Sequence, residues 1–387
     1  MVKAKYKCGD QELWSMPTVD LYTVLENKPN HKLLKLTPEL LEAFKNGDVT
    51  FKAMDMNSEV VLCSKDKTWA VRQKNHSNTV MLMKELDVKN RAQGEEYDVN
   101  GRMKPSPQSY LAYSRQKFEL EPKIIKGRIA VGRLPIYHGE QDFPVGQGNC
   151  VMMDEFKRCS PCSEKEFDAS WYKLRGCTVN GYACILSEDL LSRALHITLM
   201  SVLAESMAIE NIGLDEIHDT ITKDLTEGLA HNPYCKEVIR TVLCKFGEPC
   251  QGENGRYGLH LGRISQWYGI CALRKFAFRE PVLEEEFMIK WKSLFPPFFQ
   301  CDIDLDLLCG EFARPGANTV QYLPKDTLPV NAKDRFKQLF KIQRSWNLEH
   351  IVPFIEDLNT RGINIESFVM KYARRKKQGK TVIVTAR

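Results

Sequence analysis

The last 23 residues constrain this chain more than any other stretch. Ile365, Phe368, Val369 and Tyr372 recur at offsets of three, four and seven, which predicts a short amphipathic helix with its apolar stripe on a core. Its open face is basic. Lys371, Arg374, Arg375, Lys376 and Lys377 follow one another, Gly379 is placed to stop the helix, and Thr381 to Thr385 is a β-branched run that reads as a strand. No acid follows Glu366, so the seven Lys and Arg side chains from Lys371 to Arg387, Lys380 among them, are expected to lack a local counter-charge. A phosphate backbone is the expected partner.

Charge is unevenly spread along the chain. Residues 331–387 hold 13 Lys and Arg against 5 Asp and Glu, a local +8, whereas everything before residue 331 sums to −3. One nucleic-acid-facing end is expected, not a generally basic protein. With 387 residues the chain exceeds what one core organises, so roughly two to four domains are expected. Its fractions of 43% hydrophobic and 27% charged residues are those of a soluble globular protein. No apolar run approaches the ~18 residues that cross a bilayer, and Met1 to Asp10 lacks the apolar core of a secretion signal, so an intracellular protein without membrane contact is expected. The 13 cysteines then read as buried thiols and not as a disulfide framework.

In chain order, residues 1–30 show no sustained period and read as a flexible extension. Lys32 to Leu36 reads as a strand, and Thr37 with Pro38 opens a helix ending near Gly47. Glu59 to Cys63, Thr68 to Lys74 and Thr79 to Glu85 are β-type runs separated by Ser64-Lys65-Asp66 and Asn75-His76-Ser77-Asn78, which predicts an antiparallel meander. Further strands are expected near 110–120 and 128–134, with Gly94 to Pro107 as an inserted loop. A sheet of this size leaves edges to be covered, and another chain is the expected cover.

From Pro135 the pattern turns helical. Asp154 to Cys159 and Ser163 to Leu174 read as helices, Gly176 to Leu186 as a hairpin turning at Asn180-Gly181, and Ser187 as the cap of a long helix. Helix, helix, hairpin, helix is the grammar of a winged-helix unit. The cycle recurs with helices near 214–224, 233–246 and 261–277, then with Leu283 to Leu294, a helix from Asp304 and a strand at Thr319 to Leu323, and finally with Asp334 to Gln343, Leu348 to Leu358 and the terminal segment. The domain reading is an extension at 1–30, a β-rich partner-binding domain at 31–134, and winged helices at 135–210, 211–280 and 281–387, the last open to a split near 330.

Candidate chemistry is sparse. Gly379-Lys380-Thr381 resembles the end of a phosphate-binding loop, but Arg374 stands where its first glycine belongs. Cys159-Ser160-Pro161-Cys162 has zinc-ligand spacing without a second close pair, so it reads as a loop between two helices. Asp302, Asp304 and Asp306 alternate as in a calcium loop, yet Leu307 replaces the required glycine and Ala313 the closing glutamate, which leaves them as helix-start acids. No His-Glu-x-x-His pair or nucleophile elbow is present, so neither catalysis nor a cofactor is expected. Trp267, Trp291, Phe295, Phe298 and Trp346 are core aromatics by default, with base stacking the alternative. For the basic end the alternatives are a solvated tail, a nuclear-import signal and phosphate contact, and the strand that follows it favours contact.

Several long blocks carry a resemblance: "SEVVLCSKDKTWAVRQKNHSNTVMLMKE" at 58–85, "PIYHGE" at 135–140, "LHITLMSVLAES" at 195–206, "FMIKWKSLFPPFFQCDIDLD" at 287–306 and "SFVMKYARRKKQGKTVIVTAR" at 367–387. From about Lys32 to Arg387 the chain resembles the defective-in-sister-chromatid-cohesion subunit of the alternative replication factor C clamp loader, in its fungal form. The resemblance implies an α+β fold: an N-terminal antiparallel β-barrel portion completed by partner subunits, followed by tandem winged-helix domains. It further implies a nuclear, non-catalytic subunit. Its partners would be the large and small chromosome-transmission-fidelity clamp-loader subunits, the DNA polymerase epsilon catalytic subunit, the small replication factor C subunits and PCNA through the complex, and single- and double-stranded DNA. Within that frame Val61, Trp69, Val71, Val80 and Leu82 are candidates for the core shared with partners, and Lys371, Arg374, Arg375, Lys376, Lys377, Lys380 and Arg387 for DNA contact.

Overall fold

The computed structural model describes residues 20–23, 32–55, 58–86, 109–140, 150–225, 232–252, 255–359, 362–379 and 381–387. The expected loop at 94–107, most of the extension at 1–30, and Lys380 lie outside them. The chain divides into two compact units, residues 1–130 with 154–170, and residues 131–153 with 171–387.

The first unit holds β1 (Asp20–Thr23), α1 (Pro38–Lys45), β2 (Thr50–Lys52), β3 (Val61–Cys63), β4 (Thr68–Leu86) and β5 (Ser109–Ile125), together with α2 (Met153–Cys159) and α3 (Glu164–Trp171). The strands form an open sheet in the order β1-β5-β4-β3-β2, and no closed barrel forms among the described residues. Part of the extension expected to be flexible is therefore a strand, since β1 pairs in parallel with Ser109 to Ala112.

Three local expectations fail here. Asn75 to Asn78 does not reverse the chain: β4 runs straight through, and its register against β5 slips between Asn75 and Val80. Polar turn-formers serve a bulge as well as a reversal, and the true partner, β5, begins only at Ser109, far along the sequence where local signals do not reach. Lys32 to Leu36 makes only a parallel bridge, Leu34 with Leu120. Residues 131–133 form a 3-10 turn instead of a strand, beyond a β5 that extends to Ile125.

Packing of this unit centres on Leu40, Leu62 and Trp69, with Leu34, Val49 and Val71 against them. Thr37 caps α1 by accepting from the Leu40 N–H, and Pro38 supplies the preset first turn. Glu166 ties α3 to the sheet. Its carboxylate accepts from the Thr68 hydroxyl at 2.5 Å, the Gly127 N–H at 2.9 Å, and both N–H and hydroxyl of Ser163 at 3.1 and 2.8 Å. The Ser163 hydroxyl in turn accepts from the Glu166 N–H, a capping box whose acid also reaches Thr68 at the start of β4 and Gly127 just beyond β5. Between α2 and α3 the Ser160 hydroxyl donates to the Phe156 carbonyl, so Cys159 to Cys162 forms the turn that the spacing left as its default.

In the second unit one pattern occurs three times. Its first copy is α4 (Glu188–Ala204), β9 (Ile212–Gly213), α5 (Leu214–Leu225), α6 (Lys236–Phe246) and a hairpin of β10 (Gly247–Pro249) and β11 (Arg256–Leu259). To number those strands in order, β6 (Ile136–Tyr137), β7 (Gly176–Val179) and β8 (Tyr182–Leu186) precede them as a sheet of order β6-β8-β7, with β6 parallel to β8. The second copy is α7 (Leu261–Phe276), β12 (Val282–Leu283), α8 (Glu284–Lys292), a 3-10 turn at 305–308, β13 (Phe312–Ala313) and β14 (Thr319–Tyr322). The third is α9 (Ala332–Ile342), β15 (Ser345–Asn347), α10 (Leu348–Ile355), α11 (Ile365–Val369), β16 (Ala373–Gln378) and β17 (Thr381–Ala386). In each copy the entry strand pairs antiparallel with the second strand of the hairpin, which puts that strand in the middle: β10-β11-β9, β12-β14-β13 and β15-β17-β16. Residues 281–387 thus contain two such sheets. The helices expected at 154–174 within the module at 135–210 fall mainly in the first unit, since residues 154–170 belong there.

Local sequence explains much of this. Asn180 and Gly181 take φ of 51° and 84°, the left-handed pair that a two-residue hairpin requires, and the expected turn forms between β7 and β8. Ser187 caps α4 by accepting from the Leu190 N–H at 3.1 Å. The helix expected from Asp304 is a 3-10 turn whose N-cap is Asp304, accepting from the Asp306 N–H at 2.9 Å. A continuous core runs through the first two copies, from Leu190 and Leu195 to Phe287, Trp291 and Val320, and Trp267 and Phe295 pack against it. Phe298 departs from the expected core aromatics: it is 94% exposed. The third copy has its own core of Phe336, Leu339, Trp346, Phe354, Phe368, Val369 and Val384.

Candidate nucleic-acid interface

The third copy presents the basic end, and its frame is built by short-range capping and one buried cation. Asn331 caps α9, accepting from the N–H groups of Lys333 and Asp334, and Asn364 caps α11 by accepting from Glu366 and Ser367. Arg335 is 4% exposed and donates to the Pro329 and Phe354 carbonyls and to both oxygens of Asp357 at 2.8 Å. Burial pushes the Asp357 carboxyl upward, but hydrogen bonds from Lys325 and Arg335 prevail and hold it below the usual range. Trp346, 1% exposed, donates its indole N–H to the Leu339 carbonyl and meets Phe354 edge-on.

The expected terminal helix is short. It ends at Val369, and the basic run forms β16 instead of a helical face and turn. Six register pairs with β17 hold it there, from Ala373 opposite Ala386 to Gln378 opposite Thr381. The β-branched partner strand overrides the helical preference of the Arg and Lys residues. Gly379, φ 62°, stands at the hairpin turn. Tyr372 keeps its expected place on the apolar stripe by stacking on Phe336 at 5.2 Å.

Strand alternation separates the cations into two sets. Ala373, Arg375 and Lys377 share the face of buried Trp346 and Val384, while Arg374 and Lys376 lie on the opposite face with Thr385 and Ile383. Arg375 pairs with Glu366 of α11, so the expectation that the run lacks a counter-charge fails for this residue. The acid precedes the run in sequence, and the hairpin brings it back. Arg387 donates to the Met370 carbonyl. Lys371, Arg374, Lys376 and Lys377 are exposed, and none forms an ion pair among the described residues.

The five residues proposed for partner contact fall into two groups. Val61 and Trp69 are 5% and 1% exposed inside the first unit, and Val71 packs on the same cluster. Val80 lies farther along β4 at 38% exposure, and Leu82 is half-buried. On β4, β3 covers only Thr68 to Ala70, so from Val71 to Leu86 β4 has a paired neighbour on the β5 side alone among the described residues. Met81 and Met83, 36% and 51% exposed on this stretch, were not singled out from sequence, although they sit in the same β-type run.

The model of the family described as sister chromatid cohesion protein Dcc1 matches residues 31–355. The basic hairpin lies beyond that span. A sister chromatid cohesion protein DCC1 from Saccharomyces cerevisiae is 42% identical over 382 residues, covering 96% of this chain and 100% of the relative, so similarity reaches into the first 30 residues as well. A probable DCC1 from Dictyostelium discoideum is 23% identical across 89% of this chain and 90% of its own length, and DCC1 from Homo sapiens 24% identical across 92% and 88%.

Proposed function

This chain belongs to the sister chromatid cohesion protein Dcc1 family, and from that premise we propose that it is a non-catalytic accessory subunit of an alternative clamp loader acting on PCNA at replication forks in the nucleus, in support of sister chromatid cohesion. Its work is to supply surfaces. The first unit joins the large and small chromosome-transmission-fidelity subunits and DNA polymerase epsilon, completing with them a β-barrel that its open sheet begins. The three repeated copies are winged-helix modules, 281–387 holding two that divide near 330, and the last contacts single- and double-stranded DNA.

The observation that carries this reading is the terminal hairpin, where Arg374, Lys376 and Lys377 stand exposed on a strand that no acid on the hairpin neutralises. The unpaired length of β4 supports the partner half, because an exposed ladder edge of that length is ordinarily covered by another chain. Reconstitution tests it: the full chain is co-expressed with the large and small chromosome-transmission-fidelity subunits, purified, and assayed for DNA retention. A stable ternary complex whose DNA retention falls when the hairpin cations are replaced supports the proposal. A chain that purifies alone from the mixture, or a complex indifferent to those cations, contradicts it.

A further inference from the structure

The first unit holds a cavity of about 260 Å³ between α1 and the turn that joins β3 to β4. Glu39, Glu42, Ala43 and Asn46 recur at offsets of three, four and seven, so a single face of α1 and its cap lines one wall. The turn from Ser64 to Lys67 lines another. It is held by the Ser64 hydroxyl, which accepts from the Lys67 N–H at 3.1 Å and donates to the Asp66 carboxylate at 2.8 Å. Trp69 completes the lining, and no residue of it belongs to the unpaired length of β4 or to the basic hairpin.

Two features of this cavity lack partners. Lys67 neutralises Glu39 at 2.8 Å and Lys65 neutralises Asp48 at 3.1 Å, but Glu42 and Asp66 have no cation partner among the described residues. The other feature is a donor. Trp69 is 1% exposed, and its indole N–H has no acceptor among the described residues. Trp267, Trp291 and Trp346 donate theirs to Ser192, Ser265 and Leu339. A buried donor left unmade is costly, so this one calls for an acceptor from outside the cavity's own walls.

We propose that this cavity binds a short peptide segment of a partner protein through one Arg or Lys side chain. The cationic head joins Glu42 and Asp66, and a main-chain carbonyl beside it accepts from the Trp69 N–H. The two needs together select the ligand class. A metal ion or a polyamine brings positive charge without an acceptor. An acidic or phosphorylated peptide brings acceptors into a site that sets four carboxylates against two ammonium groups. The volume falls short of the about 300 Å³ at which pockets enclose a whole drug-sized molecule, and it suits one long side chain. Arg should bind more tightly than Lys, because its fork of donors matches carboxylate geometry.

Carboxylates around a turn also have a bland use, keeping the surface solvated. That use leaves the Trp69 donor unexplained, whereas a bound basic residue accounts for both.

The test uses the full chain, isotopically labelled, and follows its indole N–H resonances by NMR while terminally blocked pentapeptides Ser-Gly-Xaa-Gly-Ser are added, with Arg, Lys or Gln at the centre. Trp69→Phe identifies the Trp69 signal by its loss and removes the donor while keeping an aromatic ring in the core. The Arg peptide is expected to move that signal and leave those of Trp267, Trp291 and Trp346 in place. The Lys peptide should act more weakly and the Gln peptide not at all. Glu42→Gln/Asp66→Asn changes two exposed side chains and is expected to weaken binding of the Arg peptide about fivefold. Should Trp69→Phe fail to fold, this charge variant decides on the same spectra. A Trp69 signal that ignores the Arg peptide, as it would if a segment of this chain already filled the cavity, overturns the proposal. So does an equal response to the Gln peptide, or a charge variant that binds as the parent does.

Discussion

Arg375 of β16 and Glu366 of α11 form an ion pair that ties the edge of the last sheet to the helix preceding it. The pair withdraws one cation from the basic run and marks its inward side. Replacing Glu366 by Gln is therefore expected to raise DNA affinity modestly at low salt, adding up to about 0.7 to the salt slope on single strands. Both partners are partly exposed, so stability should change by no more than about 1 kcal/mol. Anisotropy titration with a parallel thermal melt checks both numbers.

Glu166 predicts the acid limb of the first unit. Burial pushes its carboxyl up, but hydrogen bonds from Gly127, Thr68 and Ser163 outweigh that and leave it below the ordinary glutamate value. A carboxyl depressed in the folded state binds fewer protons than in the unfolded state, so its contribution is complete above the unfolded value near 4.5 and is lost as pH falls through the folded one. Glu166→Gln is expected to cost about 2 kcal/mol at neutral pH and to flatten the dependence of stability on pH below 4.5. Urea unfolding from pH 7 to pH 3 measures the difference.

Arg335 should be the most sensitive single position of the third copy. Its replacement by Ala strands the Pro329 and Phe354 carbonyls and leaves Asp357 without its closest cation, a loss of about 2–4 kcal/mol. Because this copy has a core separate from that of the first two, hydrogen exchange should accelerate in residues 331–387 well before it does around Leu190 to Trp291.

The exposed length of β4 separates folding from association. Met81→Ser with Met83→Ser should leave the melting temperature nearly unchanged, since both side chains face solvent, yet should weaken capture by the large and small partner subunits in a pull-down. Trp69→Ala should do the reverse first, costing about 3–5 kcal/mol of stability in the isolated chain.

Much of the helical architecture could be read from capping and turn chemistry, because those signals are local. Ser187, Thr37 and Asn180-Gly181 each act where their chemistry points. What the sequence hid depends on distant partners. Asn75 to Asn78 looks like a reversal until β5, distant in sequence, pairs along β4 on both sides of it. The run at Arg374 looks helical until Thr381 to Ala386 pairs with it. Glu366 precedes the basic run in sequence and meets Arg375 only through the fold, and nothing local to Glu166 shows that its bonds reach Thr68 and Gly127. Of the residues expected in a shared core, Trp69 already has one within this chain.

The central claim is that the terminal hairpin holds phosphates, and the most direct measurement is the affinity of the full chain for DNA between 50 and 200 mM salt, compared with the variant carrying Ala at Arg374, Arg375, Lys376 and Lys377. Affinity of the parent should drop steeply over that range, and the variant should bind weakly with a slope smaller by roughly 2–3 units, since Arg375 is partly withheld by Glu366. A variant that matches the parent in both affinity and slope would contradict the claim.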